Sequence, residues 1–321
     1  MRFRLTLLAC ASLVTGCAPL PDPAAAPAIA AAVGPRHQRG IEGGAFLAFH
    51  GRAAQMGDLR QIAASYRVIA VDADPSSGRF SREDLAILRG GGRNAVLGFL
   101  DIGFCDRTRG HWATAPEGLL PCVANLAAQI AARNDRPQQT WMDPEDPEYQ
   151  RLIGEFVAPR VAAAGVDGFL LGGLDLLDHG PDDDVPCDQD CVAGGLGIVA
   201  GLRKEFPDLI FVMEGGLSWM VRGARVGHTH MASMIDGVVG EGIYAPVFQP
   251  DKEADLLDWK LDGEKVASAE HRTFAVFTED YVNSCQDVAG ARAIWQSSRA
   301  HGFSPSVGMS PISRGKLCHF N

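Results

Sequence analysis

Short apolar segments recur between residues 45 and 308, and a polar or glycine-rich turn follows each one. Segments that are apolar throughout are typical of strands buried on both faces, as in a parallel sheet with helical connections. Eight such segments fit a closed barrel better than an open sheet, so the sequence predicts one (β/α)8 TIM-like barrel of the α/β class. The predicted strands are Ala45–Phe49, Val68–Val71, Ala95–Leu100, Gly168–Leu171, Leu209–Met213, Ile235–Gly240, Thr273–Thr278 and Ser304–Gly308, and the predicted helices are 57–65, 81–89, 147–164, 194–206 and 288–301.

Acidic residues follow six of the eight predicted strands. They are Asp72, Asp74, Asp101, Asp175, Asp178, Glu214, Glu241, Glu279 and Asp280. The carboxyl ends of barrel strands converge on one rim, where barrel active sites lie. Any single member of this set also suits a helix N-cap or an ion pair with arginine. As a group they are typical of glycoside hydrolysis, in which one carboxyl protonates the leaving oxygen and another activates water or attacks the sugar.

Aromatic residues in the same predicted loops suit stacking on sugar rings, although ordinary packing is the alternative for each. The predicted substrate-binding residues are Asp72, Asp101, Trp112, Trp219, Tyr244, Asp280 and Tyr281. The predicted catalytic residues are Glu241, Asp175 and Glu214.

Six sequence stretches, in this order, resemble the barrel domain of glycoside hydrolase family 114, the endo-α-1,4-polygalactosaminidase family. They are Val68-Ile-Ala-Val-Asp72, Val96-Leu-Gly-Phe-Leu-Asp-Ile-Gly103, Trp141-Met-Asp-Pro-Glu-Asp-Pro-Glu-Tyr-Gln150, Gly165-Val-Asp-Gly-Phe-Leu-Leu171, Ile235-Asp-Gly-Val-Val-Gly-Glu241 and Gly302-Phe-Ser-Pro305. The resemblance implies a barrel fold and hydrolysis of a galactosamine-containing polysaccharide. It also implies that Asp175 and Glu241 match functional residues of the family.

The chain departs from the family pattern at two strand ends. After the third strand the family reads Ser-x-Gly-Glu, whereas this chain has Asp101-Ile-Gly-Phe104. After the fourth strand the family reads Leu-Asp-Asn-x-Asp, and Gly172 stands where the first aspartate, a catalytic carboxylate, is expected. Glu214 stands where a neutral polar residue is expected and is therefore predicted to take over a missing role.

The net charge and the absence of a dinucleotide-binding motif limit the ligands and partners that the sequence predicts. The chain has 29 Lys+Arg against 39 Asp+Glu, a formal charge of -10. Nucleic-acid binding normally needs a basic face, so no nucleic-acid partner is predicted, whereas a cationic amino-sugar polysaccharide suits this charge. No Gly-x-Gly-x-x-Gly follows the first strand, and no cofactor is predicted.

The N-terminus predicts export. Residues 1–16 combine a basic start with an apolar stretch, and the segment Val14-Thr-Gly-Cys17 at their C-terminal end resembles a bacterial lipobox. The interpretation is a lipoprotein signal with lipid on Cys17, anchored at the cell envelope; a plain secretory signal is the alternative. Residues 17–40 are rich in Ala and Pro and predict a tether, and 41–321 form the barrel domain.

Six cysteines lie beyond Cys17, an even number that predicts disulfides in an exported protein. Fifteen pairings are possible, and local pairing favours Cys105–Cys122, Cys187–Cys191 and Cys285–Cys318. Zinc at the Cys187-x3-Cys191 pair is the alternative, but the chain lacks a second cysteine pair nearby.

An acidic loop and a histidine pair also suggest metal sites. The loop 178–190 suits calcium or a cationic polymer, although it lacks the EF-hand spacing and a solvated acidic loop is the simpler interpretation. His228-x-His230 has no clear third ligand, so no metal is predicted.

Two functions of different class remain. One is a lipid-anchored glycosidase acting on an α-1,4-linked galactosamine-containing exopolysaccharide. The other is a non-catalytic glycan-binding lipoprotein, a degenerate hydrolase that lost a carboxylate at Gly172.

Overall fold

The computed structural model describes residues 40–133, 136–181, 183–309 and 317–318. Thirteen strands lie in these ranges. They are β1 (Phe46–Phe49), β2 (Val68–Val71), β3 (Ala95–Asp101), β4 (Phe104–Asp106), β5 (Gln129–Ala132), β6 (Gln139–Met142), β7 (Gly168–Gly172), β8 (Ile210–Glu214), β9 (Arg225–Val226), β10 (Thr229–His230), β11 (Gly237–Glu241), β12 (Ala275–Tyr281) and β13 (Ser304–Gly308).

Eleven α-helices lie in the same described ranges. They are α1 (Ala53–Met56), α2 (Leu59–Ser65), α3 (Arg82–Leu88), α4 (Gly110–Ala113), α5 (Pro147–Arg151), α6 (Ala158–Ala162), α7 (Gln189–Glu205), α8 (Trp219–Gly223), α9 (Met231–Met234), α10 (Pro250–Ala269) and α11 (Val288–Ala300). A π-helical segment, Leu152–Val157, joins α5 to α6, and a 3₁₀ helix, Leu174–Asp178, follows β7.

Eight strands form one parallel sheet in the order β1-β2-β3-β7-β8-β11-β12-β13. The two edge strands contact each other, which makes the sheet a nearly closed barrel with helices between its strands. These are the eight predicted strands with small shifts at their ends, so the predicted (β/α)8 TIM-like barrel is confirmed.

Alternation along the strands fills the barrel. One residue in two points inward, and these side chains form a cluster separate from the larger core between the sheet and the helices. The inward set includes Phe46, Val68, Leu97, Phe99, Leu170, Val212, Val239 and Phe277. Because successive side chains point to opposite faces, the residue two positions after the last inward apolar side chain faces the barrel mouth.

Some local elements differ from the prediction. The predicted helix 57–65 is α2, which begins two residues later at Leu59 because Asp58 caps it by accepting a hydrogen bond from the Arg60 N–H at 2.9 Å. The short helix α1 before it was not predicted. Helix α7 begins earlier than predicted, at Gln189, since the Asp188 carboxylate caps it. The long helix α10 and the antiparallel sheet β4-β6-β5 were not predicted.

The end of the barrel opposite the mouth carries two ion pairs whose carboxylates are largely buried. Arg203 is 5% exposed and its guanidinium lies 2.7 Å from the Asp236 carboxylate, just before β11. Arg89 makes a comparable pair with Asp167, just before β7, at 2.5 Å. These ion pairs serve the stability of the barrel, since barrel active sites lie at the other end.

The three disulfides favoured by local pairing are present. They are Cys105–Cys122, Cys187–Cys191 and Cys285–Cys318. Disulfides in this number are typical of an exported protein. Within the described ranges, no helix has both the length and the apolar character needed to cross a bilayer. The predicted signal, Cys17 and most of the tether lie outside the described residues.

Candidate functional site

Carboxylates at or directly after the ends of five strands occupy inward positions at the barrel mouth. They are Asp72, Asp101, Glu214, Glu241 and Glu279. Each comes two residues after an inward apolar residue of its own strand, as Asp101 comes after Phe99 and Glu279 after Phe277. Strand alternation therefore aims all five toward the same space.

Glu241 has a fixed neighbour. The Tyr281 hydroxyl donates a hydrogen bond to Glu241 Oε1 at 2.9 Å. In the parallel pair β11–β12, Glu241 lies directly opposite Glu279, so two carboxylates stand side by side. Like charges directly opposite each other destabilise a sheet, and such a pair is therefore a mark of function.

Asp101 is enclosed at the mouth, with its side chain 14% exposed. Burial raises the pKa of Asp101 to about 6, and the negative charges of Asp106, Glu214 and Asp72 act in the same direction. The guanidinium of Arg109, 3.6 Å away, opposes this shift. Burial therefore favours the protonated form of this carboxyl group.

Gly172 lies beside Asp101, because the two residues are register partners in the pair β3–β7. A Cβ added to Gly172 would stand 2.7 Å from Asp101 Oδ1 and 3.8 Å from Glu214 Oε2. The carboxylates of Asp101 and Glu214 thus flank the place that a side chain at position 172 would fill.

Asp175 lies at the margin of the mouth. It belongs to the 3₁₀ helix after β7, is 43% exposed, and lies 3.4 Å from Arg133 Nη2. Partial burial raises the pKa of Asp175, and Arg133 opposes the rise. Its carboxylate is therefore accessible but outside the inward row of strand-end residues.

Two predicted substrate-binding carboxylates are enclosed. Asp72 is 0% exposed and pairs with Arg109 at 2.7 Å and with Arg79 at 3.3 Å. Asp280, also 0% exposed, points to the outer face of β12 and accepts hydrogen bonds from the N–H groups of Tyr244 and Ala245. Burial raises the pKa of Asp280 to about 6. Both carboxylates hold loops in place.

The aromatic residues are distributed around the rim. Trp219, on α8 after Glu214, is 71% exposed. Tyr244 stacks on Phe248 with 6.0 Å between ring centroids, and a groove of about 670 Å³ runs from these two rings past Tyr281 to α11. Trp112 instead packs against the core, with the Arg107 guanidinium over its ring. Trp219 and Phe248, the latter 49% exposed, are thus the more exposed of these rings.

Several carboxylates of the acidic loop 178–190 accept hydrogen bonds from backbone N–H groups. Asp178 accepts hydrogen bonds from the N–H groups of Leu217 and Ser218, both at 3.0 Å. Asp183 accepts one from the Gly180 N–H at 2.7 Å, and Asp188 caps α7. These bonds shape the loop; Asp182 lies outside the described residues.

The two residue pairs that were considered as metal sites belong to other segments of the chain than the strand ends that carry the mouth carboxylates. The sulfurs of Cys187 and Cys191 are bonded to each other. His230 belongs to the short hairpin β9–β10, and His228 lies in its turn.

Three residues at the mouth were not among the predicted site residues. Glu279 belongs to the acidic strand-end set but was assigned no role, and His50 could have been found from strand alternation, since its ring stacks on inward Phe99 with centroids 4.1 Å apart. Arg109 comes from an irregular loop whose sequence carries no periodic signal, so it could not have been found in this way.

Comparison with known proteins identifies solved structures of similar fold. No protein-family model matches the sequence, and no curated protein matches it. The glycoside hydrolase domain of PelA from Pseudomonas aeruginosa is similar in structure, with a TM-score of 0.60 and 17% identity over 86% of this chain and 98% of that domain. Aspergillus fumigatus Ega3, solved in complex with galactosamine, gives a TM-score of 0.59 and 12% identity over 85% and 94% of the two chains. This protein shares their fold.

Proposed function

We propose that the protein is a glycoside hydrolase that cleaves an α-1,4-linked galactosamine-containing exopolysaccharide. The row of inward carboxylates at the barrel mouth carries this proposal. Hydrolysis of a glycosidic bond needs one carboxyl group that gives a proton and a second that activates water or attacks the sugar. The mouth offers such groups from several strands around one opening.

Glu241 is the first catalytic residue of the proposal. It ends β11 in an inward position, and the Tyr281 hydroxyl fixes its orientation. Glu214 and Asp175 stand on neighbouring elements as further carboxylates for the reaction. The side-by-side position of Glu279 keeps the mouth strongly acidic.

Charge and exposed rings support the substrate class. A polymer of deacetylated galactosamine is cationic, and the chain has a formal charge of -10. A concave surface lined by one sign of charge raises the local concentration of a ligand of opposite sign. The exposed Trp219 and the Tyr244–Phe248 pair add flat apolar surfaces for sugar rings. The folds shared with a glycoside hydrolase domain and with a galactosamine complex point to the same class.

The decisive experiment is incubation with partly deacetylated α-1,4-galactosamine polymer, in which the release of reducing ends measures hydrolysis. Wild-type protein should form product, and Glu241→Gln should lower kcat on the order of a hundred- to ten-thousand-fold, the contribution typical of acid–base groups. Glu205→Gln is the matched control, because it removes the same charge from an exposed position at the end of α7. Wild-type turnover that Glu241→Gln leaves intact would overturn the site assignment.

Gly172 favours a second function, a glycan-binding lipoprotein without catalysis, because no carboxylate follows β7 in the inward position. Calorimetry with the same polymer separates the two. The binding function predicts measurable affinity for the polymer and no reducing-end release by the wild type.

The cellular setting is part of the proposal. Residues 1–16 act as a lipoprotein signal, Cys17 carries lipid, and residues 17–40 hold the barrel away from the membrane of the cell envelope. Cys17→Ser should release the protein from the membrane fraction. A soluble wild-type protein with a mature N-terminus elsewhere would contradict the lipid anchor.

A further inference from the structure

Residues 101 and 172 share one space at the mouth. They are opposite each other in the pair β3–β7, and both occupy inward positions. A Cβ at residue 172 would stand 2.7 Å from Asp101 Oδ1, which is closer than non-bonded atoms pack. The space therefore holds one side chain, and in this protein the side chain comes from β3.

The surroundings of this space are those of a reacting carboxyl group. Glu214 reaches it from the β8 side, with Oε2 3.8 Å from the same Cβ position. Arg109 approaches Asp101 from the loop after β4 and is itself held by a 2.7 Å contact with Asp72. Asp101 is thus fixed on one side by a cation and bordered on the other by a carboxylate.

We propose that Asp101 is the second catalytic carboxyl group of the site and donates the proton to the glycosidic oxygen from the space that Gly172 leaves open. This inference rests on the proposed glycosidase function. Glu241 lies on β11, separated from β3 by β7 and β8, so the two carboxyl groups face the opening from different sides. That arrangement allows one group to act on the leaving oxygen while the other acts on water.

The chemistry balances without a further reactant. The Asp101 carboxylic acid gives its proton to the glycosidic oxygen as the bond from this oxygen to the sugar carbon breaks, and the leaving sugar departs as an alcohol. Water adds to that carbon and loses a proton to Glu241, which gives a hemiacetal. Proton exchange with solvent then returns Asp101 to its acid form. A general acid works best when its pKa lies near the working pH, and the raised pKa of Asp101 meets this condition.

Two sets of variants test the inference. Asp101→Asn keeps the shape but has no proton to give, so kcat should fall on the order of a hundred- to ten-thousand-fold while polymer affinity persists. The wild-type kcat should decline as pH rises through the pKa of Asp101, about 6, and the residual rate of Asp101→Asn should lack this decline. Asp208→Asn, at an exposed turn before β8, is the matched control.

The reverse exchange tests the shared space itself. Asp101→Ser/Gly172→Asp returns a carboxylate to the same space from β7 and should recover activity relative to Asp101→Ser alone. Gly172→Asp alone crowds two carboxylates together and should lower the melting temperature. Circular dichroism verifies that each variant is folded before its activity is compared.

The outcomes separate this inference from the proposed function. If wild type is active and Glu241→Gln is not, but Asp101→Asn keeps the wild-type kcat and pH profile, the role of Asp101 is refuted and the glycosidase remains. A folded double variant no more active than Asp101→Ser also counts against it. A wild type that yields no product refutes the glycosidase function and this inference together.

Discussion

Replacing Glu214 with glutamine removes a negative charge that faces Asp101, so the pKa of Asp101 should fall. The sign follows from electrostatics, because a nearby carboxylate disfavours the charged form of a second carboxyl group. Glu214 is among the groups that raise this pKa, after burial as the largest cause. The variant changes no volume, since glutamine and glutamate have the same shape.

The size of the shift follows from the geometry around Gly172. Asp101 Oδ1 and Glu214 Oε2 lie 2.7 and 3.8 Å from one point. They are therefore at most about 6.5 Å apart, and at an effective dielectric constant of ~20 two unit charges at that distance interact by about 2.5 kcal/mol. Water at the mouth weakens the interaction, to about 0.6 kcal/mol at the bulk-water limit. The pKa of Asp101 should thus decrease by about 0.5 to 2 units.

Carboxyl ¹³C NMR titration measures this shift without any substrate, and comparison with Asp101→Asn assigns the resonance. Glu205→Gln, at the end of α7, serves as the control that should leave the titration unchanged. In the active enzyme, the alkaline limb of kcat should move to lower pH by the same amount. An Asp101 titration that is identical in wild type and Glu214→Gln would refute the electrostatic link between these two groups.

Three further outcomes follow from the same structure. Tyr281→Phe removes a hydrogen bond to the Glu241 carboxylate worth about 1.5–3 kcal/mol and should lower kcat by roughly ten- to a hundred-fold if that bond is kept in the transition state, with KM changed much less. Asp280→Ala leaves two backbone N–H groups without their acceptor and should lower the free energy of unfolding by about 1–3 kcal/mol in urea titrations, whereas Asp280→Asn keeps an acceptor and should cost less. Serine at both Cys187 and Cys191 opens a loop of sequence separation 4, and the loop-entropy relation gives a loss of about 2 kcal/mol, measurable by the same titrations.

The barrel could be predicted because each strand is buried on both faces and therefore appears as an apolar run. Their positions at the carboxyl ends of predicted strands then placed Glu214 and Glu241 at the mouth. The sheet β4-β6-β5 could not be found in this way, since strands such as Gln139–Met142 mix polar and apolar residues and depend on pairing with distant segments. Helix α10 was missed because its apolar residues mark no clear face.

The sequence predicts which strands carry residues of the candidate site, but not which of these residues lie next to each other. The sequence shows that Asp101 and Gly172 each depart from the family pattern, and it presents them as unrelated departures. Their proximity depends on the register of β3 and β7, which no local pattern specifies. The position of Arg109 likewise depends on how a loop folds over the mouth.

The C-terminal end of β12 serves both sides of the barrel wall. Glu279 and Tyr281 project into the mouth, whereas the intervening Asp280 holds the backbone of Tyr244 and Ala245 on the outside. This strand end therefore ties the two faces of the barrel wall together, because Tyr281 orients Glu241 on the inner face while the adjacent Asp280 anchors the Tyr244 loop on the outer face.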